Sequence, residues 1–249
     1  MSNANHEKHG PLDQFKIENI FEIKIGSFDL SFSNSALYMV IATALIVFFS
    51  IFATKKLSII PSRLQVFAES IYNFIFNIIE SSIGSKEGAK FFPLIFSIFI
   101  FILLCNILGL TPYSFTSTSQ IIITLSLGII AFITIILFAI YRNGIKGFIS
   151  MFLPSGIPIF MAPFIFLIEL FSFIIRPITL SVRLFANMVA GHVLLKVIAT
   201  FIVSLGAIGI IPLLFASAMT AFELFVAVLQ AYIFAILVCS YLAEVTRSH

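Results

Sequence analysis

The sequence predicts an all-α integral membrane protein with five membrane helices, one interfacial amphipathic helix and a long inclined hairpin formed by the last two helices. Of the 249 residues, 60% are hydrophobic and only 10% are charged, whereas soluble domains have about 25% charged residues. Several apolar runs are long enough to cross a hydrocarbon layer of about 30 Å. Basic residues recur in alternate connections, as expected for a single fixed orientation in a membrane.

The composition also excludes several kinds of protein. The net charge of +3 is explained by basic residues on the cytoplasmic side, so we expect no nucleic-acid partner. Cys105 and Cys239 lie inside apolar runs, where thiols behave as small hydrophobic groups. We therefore expect no disulfide framework, no metal site and no cofactor.

Residues 1–35 are predicted to form a polar arm on the outer side of the membrane, followed by one membrane domain at 36–249. The arm has acidic character and no apolar core of the kind found in a signal peptide. His6 and His9 are interpreted as solvated residues, since no third ligand is near them. The alternation in Phe28–Phe32 indicates a short strand.

The first membrane helix is predicted at Leu37–Thr54, and Lys55-Lys56 marks its cytoplasmic end. Residues 62–83 then predict an amphipathic helix that does not span, with Ser62 as its N-cap. It would lie along the membrane or against another membrane helix. Its apolar face contains Leu64, Phe67, Ile71, Phe74, Ile75 and Ile78, and its polar face contains Gln65, Glu69, Asn73, Asn77 and Glu80.

Two further spans follow. Lys86–Lys90 is predicted as a charged cytoplasmic turn, Phe91–Leu110 as the second span and 111–119 as an uncharged outer loop. Gln120–Ile140 is predicted as the third span, and Tyr141–Lys146 returns the chain to the basic side.

Residues 157–243 are predicted to form the helical hairpin. Ile157–Phe201 has no polar turn cluster and would be about 65 Å long as a single helix, roughly twice the hydrocarbon thickness. We therefore expect one inclined helix, kinked near Pro177, rather than two short spans. Ser204–Pro212 would be the turn and Leu213–Leu242 the return helix.

The first helix of this hairpin carries ionisable groups at the depth of the bilayer, where such groups are costly and usually functional. Helical spacing places His192 about 180° around the helix from Arg183. The ionisable groups towards the two ends of the helix therefore point to different sides of it. If Arg183 only formed a structural ion pair, its partner would be Glu169 or Glu223. One face is predicted to carry Glu169, Arg176, Thr179, Arg183 and Asn187.

The return helix has a polar line of its own, with Thr220, Glu223 and Gln230 spaced three and seven residues apart. Glu223 and Gln230 are read as part of a proton or ion path or, alternatively, as structural hydrogen-bonding groups. His192 could relay protons or be a satisfied core histidine. Asn187 could bond only to its neighbours, and Glu169 with Arg176 could be a supporting pair or a wall of the path.

Three separated motifs resemble subunit a of the F-type ATP synthase. They are Ser181–His192 (SVRLFANMVAGH), Asn106–Tyr113 (NILGLTPY) and Glu223–Tyr232 (ELFVAVLQAY). The chain has His at 192 and Glu at 223, where many bacterial members have the two types exchanged. In this it is similar to the mitochondrial type and its bacterial relatives.

The resemblance implies a function for each site residue. Arg183 would be the essential stator arginine that faces a carboxylate of the rotating c-ring. Asn187, His192, Glu223 and Gln230 would line the outer half-channel for protons. Glu169, Arg176 and Thr179 would support the site or lie towards the inner half-channel.

The resemblance also implies partners and a location. The partners would be the c-ring, peripheral-stalk b-type subunits, the rest of the ATP synthase complex and membrane lipid. The location would be a bacterial inner membrane or, alternatively, a mitochondrial inner membrane. The N-terminus would be outside, and Arg247 would place the C-terminus in the cytoplasm.

Other functions are weighed against this one. A secondary transporter or ion channel with an arginine-gated site would transport as a single chain, whereas subunit a needs a ring. An intramembrane enzyme is disfavoured because the sequence has no HExxH or GxSxG motif. A structural scaffold would tolerate Arg183→Ala. We find no nucleotide site, so ATP chemistry would belong to partner subunits.

Overall fold

The computed structural model describes residues 16–17, 19–21, 24–25, 28–29, 31–55, 61–111, 114–153, 158 and 160–247. These residues form an all-α membrane fold, as predicted. The six α-helices are α1 (Asn34–Thr54), α2 (Arg63–Ile83), α3 (Ser85–Gly109), α4 (Ile121–Ser150), α5 (Ala162–Ser204) and α6 (Ile210–Arg247). His6, His9, Lys56, Pro112 and Tyr113 lie outside the described residues.

Five of these helices, α1, α3, α4, α5 and α6, are long and apolar enough to cross a membrane. The predicted division into five spans and one amphipathic helix is therefore confirmed. Ahead of α1, Asn19–Phe21 pairs antiparallel with Phe32–Ser33, and Lys24–Ile25 pairs with Phe28–Asp29. The short strand predicted at Phe28–Phe32 thus occurs as parts of two paired strands.

Helix α2 begins as predicted, because the Ser62 hydroxyl accepts a hydrogen bond of 3.3 Å from the Gln65 amide. The apolar and polar faces of α2 do not coincide with its buried and exposed sides. Gln65 is buried, and its side-chain amide donates to Glu69 Oε1 at 2.8 Å, whereas Leu64 and Phe67 are exposed. Helix α2 packs against α3 and α6. In a membrane the outward face can be apolar, so hydrophobicity alone does not identify the face that packs.

Two of the predicted connections were also wrong. Lys86–Lys90 belongs to α3, and the chain turns instead at Gly84, whose φ of 95° favours glycine. Tyr141–Lys146 belongs to α4, which is interrupted only at Gly144 (φ 67°, ψ 174°). Both segments were predicted as turns because they contain charged residues. In the structure, these charged residues lie on the helix itself, at the end of the membrane-spanning part.

The ends of α3, α4 and α6 meet at one end of the helix bundle, here called the basic end because it carries Lys90 and Arg142. Glu87 lies 3.4 Å from Lys90 Nζ and 3.1 Å from Arg142 Nη1. Asn143 Nδ2 donates to the Val245 carbonyl at 3.3 Å. Since α3 starts here, its last residue and the segment after it lie at the opposite end of the bundle, here called the far end.

The segment that joins α3 to α4 at the far end was predicted to be an uncharged outer loop, and most of its described residues are buried in the bundle, although Thr111 is exposed. Phe115 and the four residues Thr116–Ser119 are at most 7% exposed, and Ser117–Ser119 forms a 3-10 turn. The segment packs against α3, α4 and α5. The absence of charge did not distinguish a loop in water from one folded into the bundle.

Helices α5 and α6 form the predicted hairpin, joined by a 3-10 turn at Gly206–Gly209. Helix α5 has 43 residues, or about 65 Å, so it must incline within a hydrocarbon layer of about 30 Å. It starts at Ala162 rather than at residue 157, and α6 starts at Ile210 rather than at Leu213. The hairpin packs on α3 and α4, and its core contains Leu180, Leu184, Phe234, Ala235, Val238 and Leu242.

Candidate functional site

The structure places the central polar residues of α5 on one open face. Thr179, Arg183 and Asn187 are exposed, whereas Leu180, Leu184 and Met188 are buried on the other side. This alternation follows the helical repeat, since residues four apart share a face. Arg183 has no hydrogen bond or ion pair within the part of the chain that is described, so neither Glu169 nor Glu223 neutralises it.

A close contact between α4 and α5 near Arg183 sets which side of α5 packs against α4. The single hydroxyl hydrogen of Ser181 is shared between two carbonyl oxygens, that of Thr124 in α4 at 2.9 Å from Oγ and that of Pro177 in α5 at 2.8 Å. Gly128 of α4 allows this approach, because a Cβ there would lie 3.2 Å from the Pro177 carbonyl oxygen and closer to Ser181 Oγ. Ser181 is buried and lies two residues before Arg183.

A cavity of about 330 Å³ between α5 and α6 brings together three of the predicted site residues, Asn187, Glu223 and Gln230. The remaining lining is mostly apolar. Asn187 is exposed at the edge of the cavity, while Glu223 and Gln230 are 8% and 4% exposed. The cavity therefore leads from the Arg183 face of α5 to buried polar groups of α6.

Glu223 is held against α5 at Gly191. A Cβ at position 191 would lie 2.7 Å from Cδ and 3.1 Å from Cγ of Glu223, so any larger residue would force this carboxylate to move away from α5. Both carboxylate oxygens of Glu223 are buried and have no hydrogen-bond partner among the described residues. Buried polar atoms are nearly always paired, so an unpaired carboxylate needs a functional explanation.

Two further unpaired oxygens lie close to Glu223 along α6. Gln230 Oε1 and Asn106 Oδ1 are buried and unpaired within the described chain. The side-chain amide of Asn106 in α3 donates to the Ala227 carbonyl at 3.3 Å. Ala227 lies on α6 between Glu223 and Gln230. Asn106 appeared in the sequence only as part of a motif, and the structure adds it to the site.

His192 lies on the other side of α5 and faces the far end. Its Nε2 atom is 3.0 Å from Thr116 Oγ1, in the buried segment between α3 and α4. His192 does not line the cavity, but it follows Gly191 directly and is therefore next to the position where Glu223 packs. Thr116 was not predicted as a site residue; the signal was four consecutive hydroxyl residues, Thr116–Ser119, in an apolar chain.

Arg176 lies towards the basic end and pairs with α6. Its Nη1 atom is 3.2 and 3.1 Å from the two carboxylate oxygens of Glu244, and its guanidinium carbon is 5.1 Å from the centre of the Tyr241 ring. The structure does not bring Arg176 together with Glu169. Glu244 could have been found from its spacing, because it follows Gln230 by fourteen residues and Glu223 by twenty-one.

We expect the Arg176–Glu244 pair to stabilise the hairpin only slightly, because the Glu244 side chain is 51% exposed. Arg176→Gln and Glu244→Gln should each lower the free energy of unfolding, with a coupling energy of about 0.2–1 kcal/mol. Denaturant unfolding of the four members of a double-mutant cycle measures this coupling. Arg176→Lys, which keeps the charge, is the control, and a coupling of zero would contradict the contact.

The site has hydroxyl, imidazole, carboxamide and carboxylate groups, all of which can exchange or orient protons. Among the described residues there is no group of three His, Cys, Asp or Glu side chains that could bind a metal ion. The family model described as "ATP synthase A chain" matches residues 36–243. The matched range begins in α1 and ends in α6, and it contains the site residues named above except Glu244.

Proposed function

The chain belongs to the ATP synthase A chain family and is thus a multi-pass membrane subunit of an ATP synthase, and from this premise we propose how it conducts protons. It would form two half-channels that are offset along the membrane and meet a rotating ring of carboxylate-bearing subunits at Arg183. Proton flow through them would drive rotation of the ring and ATP synthesis. ATP chemistry would take place on other subunits.

One observation supports a proton path above all others. The two carboxylate oxygens of Glu223 are buried beside a cavity of about 330 Å³ and lack hydrogen-bond partners among the described residues. Gln230 and Asn106 add unpaired oxygens nearby. Buried groups of this kind are costly unless water or a proton pairs with them. With Asn187 at the cavity edge and His192 one residue beyond Gly191, these groups would line the outer half-channel.

The open face around Arg183 supports a partner that carries negative charge. Val182 and Ile178, next to the Arg183 face, are 42% and 45% exposed, as expected of a surface covered by lipid or by another membrane protein. A guanidinium on such a surface is costly unless an anion neutralises it. A ring carboxylate is an anion of this kind, and its approach would cover both Arg183 and its apolar surroundings.

The mechanism follows from the cost of placing charge in lipid. A ring carboxylate opposite Arg183 is favoured as the anion. To move away into lipid it must first be protonated from the outer half-channel, and after nearly a full turn it releases that proton to the inner one. The fixed charge of Arg183 repels an excess proton and so prevents a direct leak. Each proton that crosses contributes about 2.3 kcal/mol per 100 mV.

The remaining assignments belong to the same proposal. Glu169, Arg176 and Thr179 would lie towards the inner half-channel, where the Arg176–Glu244 pair joins α5 to α6. Peripheral-stalk b-type subunits and membrane lipid would contact the outer surface of the bundle. The N-terminus would be outside and the basic end cytoplasmic, in a bacterial inner membrane or alternatively in a mitochondrial one.

Glu223→Gln tests the proposal, because it keeps the shape of the side chain and removes its ability to exchange a proton. We expect ATP-driven acidification of inverted vesicles to fall at least about tenfold, while the ring still co-purifies with the chain. Glu80→Gln, an exposed residue of α2, is the control. Normal pumping by Glu223→Gln would contradict the proposed half-channel, and transport by the purified single chain without a ring would favour a transporter instead.

A further inference from the structure

The buried hydroxyl residues between α3 and α4 are not used by the function proposed above. Thr116, Ser117, Thr118 and Ser119 are 4%, 2%, 0% and 2% exposed, although connecting segments normally run over the surface. Burying four hydroxyls in succession is costly unless each is paired. Thr116, Ser117 and Ser119 donate to backbone carbonyls, whereas Thr118 Oγ1 has no partner among the described residues, so the burial of this segment next to α5 needs an explanation.

Thr116 contacts both His192 and the end of α3. Its hydroxyl lies 3.0 Å from His192 Nε2 and donates to the Gly109 carbonyl at 3.2 Å. A hydroxyl has one hydrogen and two acceptor lone pairs. Thr116 can therefore accept from a protonated Nε2 while it donates to Gly109, or turn its hydrogen towards an unprotonated Nε2. Both arrangements fit the same positions of the heavy atoms.

The position of Thr116 depends on a glycine. A Cβ at Gly109 would lie 2.8 Å from Thr116 Oγ1 and 3.0 Å from Thr116 Cβ, so only glycine lets this side chain pack on the end of α3. The Gly109 carbonyl also accepts from Ser114 Oγ at 3.1 Å. The Thr116 hydroxyl is thus held in one place, next to the imidazole.

Buried hydroxyls continue from Thr116 towards the start of α1. Ser117 Oγ donates to the Ser35 carbonyl at 3.2 Å. Thr118 Oγ1 and Ser35 Oγ are buried, and neither has a hydrogen-bond partner in the described part of the chain. Ser35 is in the first turn of α1, at the far end of the bundle. Two unpaired hydroxyls on this line are what a file of water molecules would satisfy.

We propose that the buried hydroxyls of Thr116–Ser119, together with Ser35, line the proton entrance from the far-end surface to His192, and that Thr116 hands the proton over. This inference rests on the proposed function, since it requires His192 to belong to the outer half-channel. In the transfer, a hydronium ion gives one proton to Thr116 Oγ1 while the hydroxyl's own proton moves to Nε2 of His192. A neutral water, a neutral threonine and an imidazolium remain.

Variants at Thr116 separate proton transfer from packing. Valine has nearly the shape of threonine and fills its space without a hydroxyl, whereas alanine leaves room for a water molecule. Serine keeps the hydroxyl. A relay predicts that proton transport ranks serine above alanine and alanine above valine. A packing role alone predicts that valine is the best replacement, because it leaves no cavity.

The experiment measures ATP-driven acidification of inverted vesicles that contain the whole complex, with ATP hydrolysis measured as the assembly control. We expect Thr116→Val to pump at least about tenfold more slowly than wild type, Thr116→Ser to keep at least about half the wild-type rate and Thr116→Ala to lie between them. Thr111→Val, which removes an exposed hydroxyl from the same connection, should have no effect.

The inference is overturned if Thr116→Val pumps within about twofold of wild type, or if Thr116→Ala is slower than Thr116→Val. If the valine variant does not assemble, the comparison of the serine and alanine variants decides, and equal rates contradict the relay. Glu223→Gln is included to test the proposed function separately. Normal pumping by Glu223→Gln contradicts the half-channel itself. If Glu223→Gln stops pumping but Thr116→Val pumps normally, only the proposed entrance is contradicted.

Discussion

Arg183→Ala is expected to abolish ATP-driven proton pumping while the complex still assembles. In the proposed mechanism, a ring carboxylate that arrives between the half-channels without the guanidinium would be an unpaired charge in a membrane, which costs about 3–5 kcal/mol. Since about 1.4 kcal/mol corresponds to a factor of ten in rate, the loss should be at least about 100-fold. The measurement is acidification of inverted vesicles, with co-purification of the ring as the check on assembly.

Arg183→Lys should also fail, although it keeps a positive charge. The lysine ammonium is a compact point charge that cannot bind a carboxylate with two parallel hydrogen bonds, and it can lose its proton when buried. Arg142→Ala is the matched control, because it removes another arginine that pairs with Glu87 at the basic end. Pumping by Arg183→Ala within about twofold of the Arg142→Ala rate would refute the role of Arg183.

The second large effect is expected at Gly191, where one added methyl group should close the path. Alanine at this position would place Cβ 2.7 Å from Glu223 Cδ and push the carboxylate away from α5. Overpacking of this kind costs about 1–3 kcal/mol. If that cost falls on the transfer step, pumping slows about five- to 150-fold. ATP-driven acidification again measures the rate.

Two comparisons make the Gly191 prediction specific. Ala199→Val adds bulk at an exposed position of the same helix, about 160° around the axis from Arg183, and should have little effect. Glu223→Asp shortens the acidic side chain and so makes room for the added methyl group. The double variant Gly191→Ala/Glu223→Asp should therefore pump faster than Gly191→Ala alone. A Gly191→Ala rate equal to that of Ala199→Val would show that the contact with Glu223 is unimportant.

The sequence predicted the membrane helices well, because an apolar run of about twenty residues has few alternatives. It also placed Arg183 and Asn187 on one face of α5 from spacing alone. It did not predict which face of α2 packs, since Gln65 is buried while Phe67 faces outward. In water, apolar residues mark the packed face, but lipid accepts them equally well.

The missing parts of the site are contacts between distant segments. Helical periodicity cannot show that Thr116 reaches His192, 76 residues later, or that Arg176 pairs with Glu244, 68 residues later. Glu223 and Gln230 were recognised because polar groups in apolar helices are rare. Their closeness to Asn106, and the fit of Glu223 on Gly191, depend on how α3, α5 and α6 pack together.

The contact of Ser181 with α4 has a mechanical consequence. If a ring turns against Arg183 as proposed, it would exert a sideways force on α5 at that residue. Two residues away, Ser181 joins α5 to the Thr124 carbonyl of α4, and Gly128 brings the two backbones together. This contact would pass the force into α4 and so resist bending of α5 near Pro177. A stiffer contact would lose less torque to elastic deflection of the stator.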